Sequence, residues 1–117
     1  MDILALEKKT VSELRNMALE MGVERPQRHK KENLILQIAR LMGESEGLEI
    51  RGGVLEIMKE GIGFLRQDYR IGSEDIYVSQ AQLRRYELRS GDMVIGHVRP
   101  PRESERHFGL LKVEYVN

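Results

Sequence analysis

An α+β chain, with a small helical unit ahead of a five-stranded β-barrel, is predicted by a change of hydrophobic period near residue 48. Up to Leu48 apolar residues recur every three or four positions between helix-capping signals. Beyond it they alternate in short runs separated by glycine-containing turns. Between the third and fourth of those runs lies one more helical segment, an arrangement that fits a Greek-key barrel of the OB type. Pattern alone leaves other compact five-stranded folds open.

The elements follow in order. A short helical turn is expected around Asp2 to Lys8. Thr10-Val11-Ser12-Glu13 has the form of a capping box, a hydroxyl at the N-cap with a carboxylate three residues later. Val11, Leu14, Met17, Ala18 and Met21 then keep helical spacing until Gly22, a C-cap residue type. Pro26 breaks the chain. A further helix is predicted over Lys30 to Met42, with Leu34, Ile35, Ile38, Leu41 and Met42 on its apolar side, ending at Gly43. The polar run Gly43 to Gly47 is the predicted linker, dividing a helical domain, 1–48, from a barrel domain, 49–117. Strands are expected at Val54–Met58, Gly63–Arg66, Asp75–Ser79, Met93–Val98 and Gly109–Val113, with a helix over Gln80 to Tyr86. In the last strand Phe108 and Leu110 share one parity while Leu111 and Val113 share the other, so a bulge or burial on both faces is required. Phe108 is read as core.

Composition narrows the function. The chain has 117 residues, with 19 basic and 19 acidic side chains. A zero formal charge argues against a broad basic surface, because nonspecific affinity for nucleic acid comes mostly from phosphate neutralisation. It leaves room for a small site that stacks and hydrogen-bonds a few bases. There is no cysteine, so no disulfide, thiolate metal site or cysteine nucleophile. No apolar run approaches a membrane span and no signal-peptide pattern opens the chain, which makes a cytoplasmic protein without a membrane partner the expectation.

Enzyme motifs are absent. There is neither a Gly-x-x-x-x-Gly-Lys-Ser/Thr phosphate loop nor a Gly-x-Ser-x-Gly elbow. Gly61-Ile62-Gly63 begins like a dinucleotide fingerprint, but Arg66 stands where the third glycine belongs and no helix pattern follows. His29, His97 and His107 lie in different elements, so no zinc spacing arises. No cofactor and no catalytic residue are expected.

What remains is a pattern of faces. Ile62, Phe64 and Arg66 share one side of their strand, opposite Gly61, Gly63 and Leu65. Ile76 and Val78 point inward, leaving Asp75, Tyr77 and Ser79 on the solvent side. Two strands thus each display an aromatic ring and a charged group, in a chain with only six Phe and Tyr residues. An aromatic ring stacks any nucleobase, at about 1–3 kcal/mol per base. Selectivity needs hydrogen bonds to a base edge. Cytosine presents the N4 amino donor beside the N3 and O2 acceptors, which an aspartate and an arginine would match if the two strands lie side by side. The other reading is plain: cross-strand packing of Tyr77 and a modest surface salt bridge. Parity leaves both open.

The series VLEIMKEGIGFLR, SEDIYVSQAQLRRYELRSGD and GHVRPPRESERHFGLLKVEYVN closely resembles the N-terminal RNA-binding domains of the bacterial transcription termination factor Rho family. TVSELRNMALEMGVE and KKENLILQIARLM are similar to the helical cap ahead of that family's OB-fold, cold-shock-like barrel. The resemblance runs through nearly the whole chain in one unbroken order. It implies the primary loading site for single-stranded, cytosine-rich nascent RNA, which would also take single-stranded DNA. By the resemblance Phe64 and Tyr77 stack bases, Arg66 and Asp75 read the cytosine edge, Met58 adds apolar contact, and Glu105 and Arg106 lie at the rim.

Two residues depart from the family pattern. Ile62 stands where an aromatic is frequent, and His107 where tyrosine is frequent. Isoleucine offers apolar contact without a π-face; histidine stacks more weakly and can carry charge. The resemblance also implies an ATP-hydrolysing, ring-forming domain beyond Asn117, which makes the full-length family member a homohexameric ATP-dependent RNA translocase and takes ATP and magnesium. The present chain is expected to be a monomer that binds RNA without ATPase activity. The alternative is a barrel whose Phe64 and Tyr77 bury against a protein partner.

Overall fold

The computed structural model describes residues 2–66 and 74–117. They divide into two compact units, Met1–Ile50 and Arg51–Asn117.

In the first unit local chemistry starts each helix. The Asp2 carboxylate accepts from the Ala5 N–H and opens α1, Ile3–Glu7. Helix α2, Val11–Glu20, begins at the Thr10 capping box. The Glu13 N–H donates to Thr10 Oγ1 at 3.1 Å, and the Thr10 N–H donates to Glu13 Oε1 at 2.9 Å. The backbone donor of Thr10, helped by its hydroxyl, holds the Glu13 carboxyl below its ordinary value. Pro26 starts a 3-10 turn, Pro26–Arg28. Helix α3, Lys31–Ser45, follows it. The Lys31 ammonium donates to the Glu7 carbonyl at 2.8 Å, tying α3 to the end of α1. Both α1 and α2 pack on α3, burying Ile3, Leu6, Leu14 and Ala18 with Leu34, Ile35, Ile38 and Ala39.

Helix α3 does not stop at Gly43 but takes in the first residues of the polar run, through Ser45. Gly43 is buried, and a Cβ there would lie 2.5 Å from Ile50 Cγ1. The glycine is a contact point inside the helix rather than its cap. The helix continues through Ser45 and closes with Gly47, at φ 74°, where the Leu48 N–H returns to the Gly43 carbonyl at 2.8 Å.

The second unit is an OB-type barrel. Its strands are β1, Ile50–Ile57; β2, Gly63–Arg66; β3, Ile76–Val78; β4, Met93–Arg99; and β5, Phe108–Val116. They close in the order β1-β2-β3-β5-β4, with β3 and β5 parallel. Strand β1 begins earlier than expected, running through Gly52-Gly53. A Cβ at either position would lie 2.5–2.6 Å from a carbonyl oxygen, of Val94 or of Arg66. At this pair the neighbouring strands approach too closely for a side chain. Leu55, Leu65, Ile76, Val78, Val94, Val98 and Leu110 fill the core, with Phe108 partly buried against it. The parity conflict in β5 is resolved by bulges: the register with β4 shifts twice, leaving Leu111 and Glu114 as extra residues.

Helix α4, Gln80–Arg85, links β3 to β4. Its Ser79–Gln82 capping box aims the Gln82 amide at the Leu110 carbonyl, 2.8 Å away, while Leu83 enters the core.

Replacing Gly43 with alanine tests the helical unit. The gain in helix propensity is about 1 kcal/mol, but the new methyl collides with Ile50, and overpacking costs about 1–3 kcal/mol. Denaturant unfolding followed by circular dichroism is expected to show a net loss. Combined with Ile50→Ala, the loss should fall below the sum of the two single changes.

Candidate nucleic-acid interface

Strand pairing lines up the outer face of the barrel. Glu56 on β1 is the Cα partner of Phe64 on β2, which is the partner of Tyr77 on β3. Tyr77 is opposite Gly109 on β5, and Gly109 is opposite Arg99 on β4. One row therefore crosses all five strands.

Phe64 sits at the centre of an aromatic cluster. Its ring centroid is 6.0 Å from that of Tyr77, at an interplanar angle of 66°. The His107 ring lies 5.0 Å away at 65°. The Arg66 guanidinium carbon is 5.5 Å from the Phe64 centroid. Tyr77 keeps 38% of its surface exposed, while Phe64 and His107 are half-buried. The Nδ1 atom of His107 is buried and has no hydrogen-bond partner among the described residues.

Arg66 organises the polar side. Its Nε donates to Glu56 Oε1 at 2.5 Å, and its Nη1 donates to Asp75 Oδ2. Nη2 faces the Met58 sulfur at 3.8 Å, a weak acceptor. This corrects the expectation that Asp75 is displayed to solvent: it is 3% exposed. Its parity is outward, but the guanidinium lies over it. A carboxylate taken out of water requires a paired charge, and Arg66 supplies it.

Met58, Phe64, Arg66, Asp75, Tyr77 and His107 are thus brought together. Ile62 is half-buried in the β1–β2 turn, where its carbonyl accepts from the Met58 N–H at 2.8 Å. Glu105 turns instead to Arg99: the two Nη atoms reach its two oxygens at 2.6 and 2.9 Å, and the Arg102 N–H donates to Oε1 at 2.9 Å. Those donors hold the Glu105 carboxyl down at about 2, Arg99 first and the Arg102 N–H next. The same bond raises Arg99 above its ordinary value. Arg106 is exposed.

Two members of the row carry no distinctive sequence signal. Glu56 looks like any solvent-facing strand residue, and Arg99 like a charge before a proline pair. Only pairing shows that one holds Arg66 and the other closes a loop. Among the described residues no group of three His, Asp or Glu side chains is placed to hold a metal ion. No described helix is long and apolar enough to cross a membrane.

Residues 51–117 match the family described as Rho termination factor, RNA-binding domain, and residues 5–47 match the Rho termination factor, N-terminal domain. The chain belongs to the Rho RNA-binding domain family. Over 121 aligned positions it is 45% identical to transcription termination factor Rho of Pseudomonas fluorescens biotype C. The identity is 46% to the factors of Pseudomonas aeruginosa PAO1 and Escherichia coli K12. All of this chain is covered in each case, and it spans 29% of the length of each of these Rho relatives.

The Glu105 clasp has a definite pH signature. A carboxyl held at about 2, against 4.5 ordinarily, favours the folded loop fully above pH 4.5 and loses that contribution as pH falls through about 2. Carbon-detected NMR of the Glu105 carboxyl should show a midpoint near 2. Arg99→Gln should return the midpoint towards 4.5. A midpoint near 4.5 in the unaltered chain would show that the clasp does not form in solution.

Proposed function

We propose that this chain binds single-stranded, cytosine-rich RNA across β2 and β3, as the loading site of a longer, ring-forming protein whose ATP-driven movement on RNA belongs to another domain. The observation that carries this reading is the pairing of Phe64 with Tyr77 beside the Arg66–Asp75 pair. Stacking and edge-reading groups are then within reach of the same base.

The chemistry follows from what each group has left to offer. The two rings supply apolar faces for bases, Tyr77 being the more accessible. Glu56 and Asp75 occupy Nε and Nη1 of Arg66, so Nη2, which among the described residues faces only a thioether, is the donor left for cytosine O2 or N3. The Asp75 carboxylate, 3% exposed beneath the guanidinium, becomes an acceptor for the N4 amino group once the incoming base displaces part of that cover. Uracil presents O4 at that position, setting one acceptor against another. Adenine offers an amino donor and one ring acceptor, but lacks the O2 acceptor. With few phosphates to neutralise, affinity should depend only weakly on salt.

A labelled cytidine oligomer should bind more tightly than uridine or adenosine oligomers of equal length. Equal affinity for all three would remove the edge-reading roles of Arg66 and Asp75. Phe64→Ala and Tyr77→Ala are each expected to cost about 1–3 kcal/mol with the fold intact by circular dichroism. Asp75→Asn should narrow the cytosine-to-uracil ratio. Ile62→Phe should tighten oligo(C) binding by adding a π-face; unchanged or weaker affinity would show that Ile62 already provides what position 62 can give.

A further inference from the structure

The outer row does not end at Tyr77. Its next position, Gly109, has no side chain, and the one after it is Arg99. The Arg99 guanidinium lies on the shelf that the glycine leaves. Its Cζ, Nε and Nη2 atoms stand 3.5, 3.5 and 3.6 Å from the point where a Cβ of residue 109 would be. Three atoms of one plane at nearly equal distance from a point place that plane face-on to it. The group therefore rests flat against the sheet, with its opposite face turned away from the backbone.

Glu105 fixes it there. Its two oxygens take Nη1 and Nη2 side by side, and Nη1 also reaches the Pro100 carbonyl at 3.3 Å. A bidentate carboxylate occupies the edge of a guanidinium and leaves its face open. The Arg99 side chain keeps 28% of its surface exposed. Both Glu105 oxygens are engaged, so Glu105 is a positioning residue for Arg99 rather than a reader of bases.

We propose that Arg99 is a third stacking platform, which holds a nucleobase of the same single strand beyond those on Phe64 and Tyr77. The inference rests on the RNA-binding reading above and extends it. Strands are 4.7–4.9 Å apart, so two ladder steps put the Arg99 position about 10 Å from that of Tyr77, across the empty position 109. Guanidinium planes stack bases much as aromatic rings do. A platform whose charge is already paired contributes through its flat face, in keeping with a chain of zero formal charge.

The test compares cytidine oligomers of two, three and four nucleotides on the 117-residue chain. Stacking at about 1–3 kcal/mol per base corresponds to a gain of about 5- to 150-fold when the oligomer becomes long enough to reach Arg99. Arg99→Lys, which keeps the charge but loses the plane, should remove most of that gain. In the unaltered chain the Arg99 Nε–H proton should move upfield with the longer oligomer and not with the dinucleotide. The platform is overturned if Arg99→Lys preserves the ratio of long- to short-oligomer affinity, or lowers all lengths alike. It is also overturned if the Nε–H resonance does not respond to length. Failure of the unaltered chain to bind any of the oligomers would instead overturn the RNA-binding reading itself.

Discussion

A single guanidinium between two carboxylates decides what the outer face of this barrel can be. Arg66 joins β1, through Glu56, to the start of β3, through Asp75, and does so from the middle strand of the three. With only 11% of the Arg66 side chain exposed and 4% of that of Asp75, the pair is held largely away from water. Removing one partner from such a pair leaves an uncompensated charge, at about 3–5 kcal/mol. The pair is therefore structural before it is anything else. It leaves one donor over, the Nη2 that among the described residues meets only the Met58 sulfur, and the proposed recognition draws on it.

The aromatic groups depend on the same frame. Because β2 and β3 are locked in register, Phe64 and Tyr77 become direct partners, and edge-to-face rings at this separation contribute about 0.5–1.5 kcal/mol beyond burial. The plain reading of these residues as packing partners and a salt bridge describes contacts that do exist in the protein. It does not account for the exposure of Tyr77 beside a guanidinium donor that, among the described residues, faces only a thioether. On the other side, the Arg99–Glu105 clasp orders the loop that delivers His107 to the Phe64 ring. A site built from short strands and one closed loop is preorganised, so little ordering remains to be done on binding.

Much of this was legible in the chain. The switch from helical to alternating period separates the two kinds of unit, and the Thr10–Glu13 capping box locates the start of α2 because its hydrogen bonds are local. Alternation alone put Phe64 with Arg66 and Tyr77 with Asp75, since side-chain direction along a strand is a property of the backbone. The glycines were misleading for the opposite reason. Gly43 was read as a helix end and Gly52-Gly53 fell outside the expected strand, yet each marks a close approach whose partner, Ile50, Val94 or Arg66, sequence spacing does not name.

The sequence by itself thus determined the elements, their inward and outward faces, and the residue types able to stack a base and read its edge, because these follow from local geometry and covalent chemistry. The tertiary structure alone decided which faces meet. It covered Asp75 with Arg66, brought His107 to Phe64, engaged Glu105 with Arg99, and laid Arg99 over Gly109. Those outcomes depend on strand order and on the bulges in β5, which are set by closure of the whole barrel and not by any stretch of chain within it.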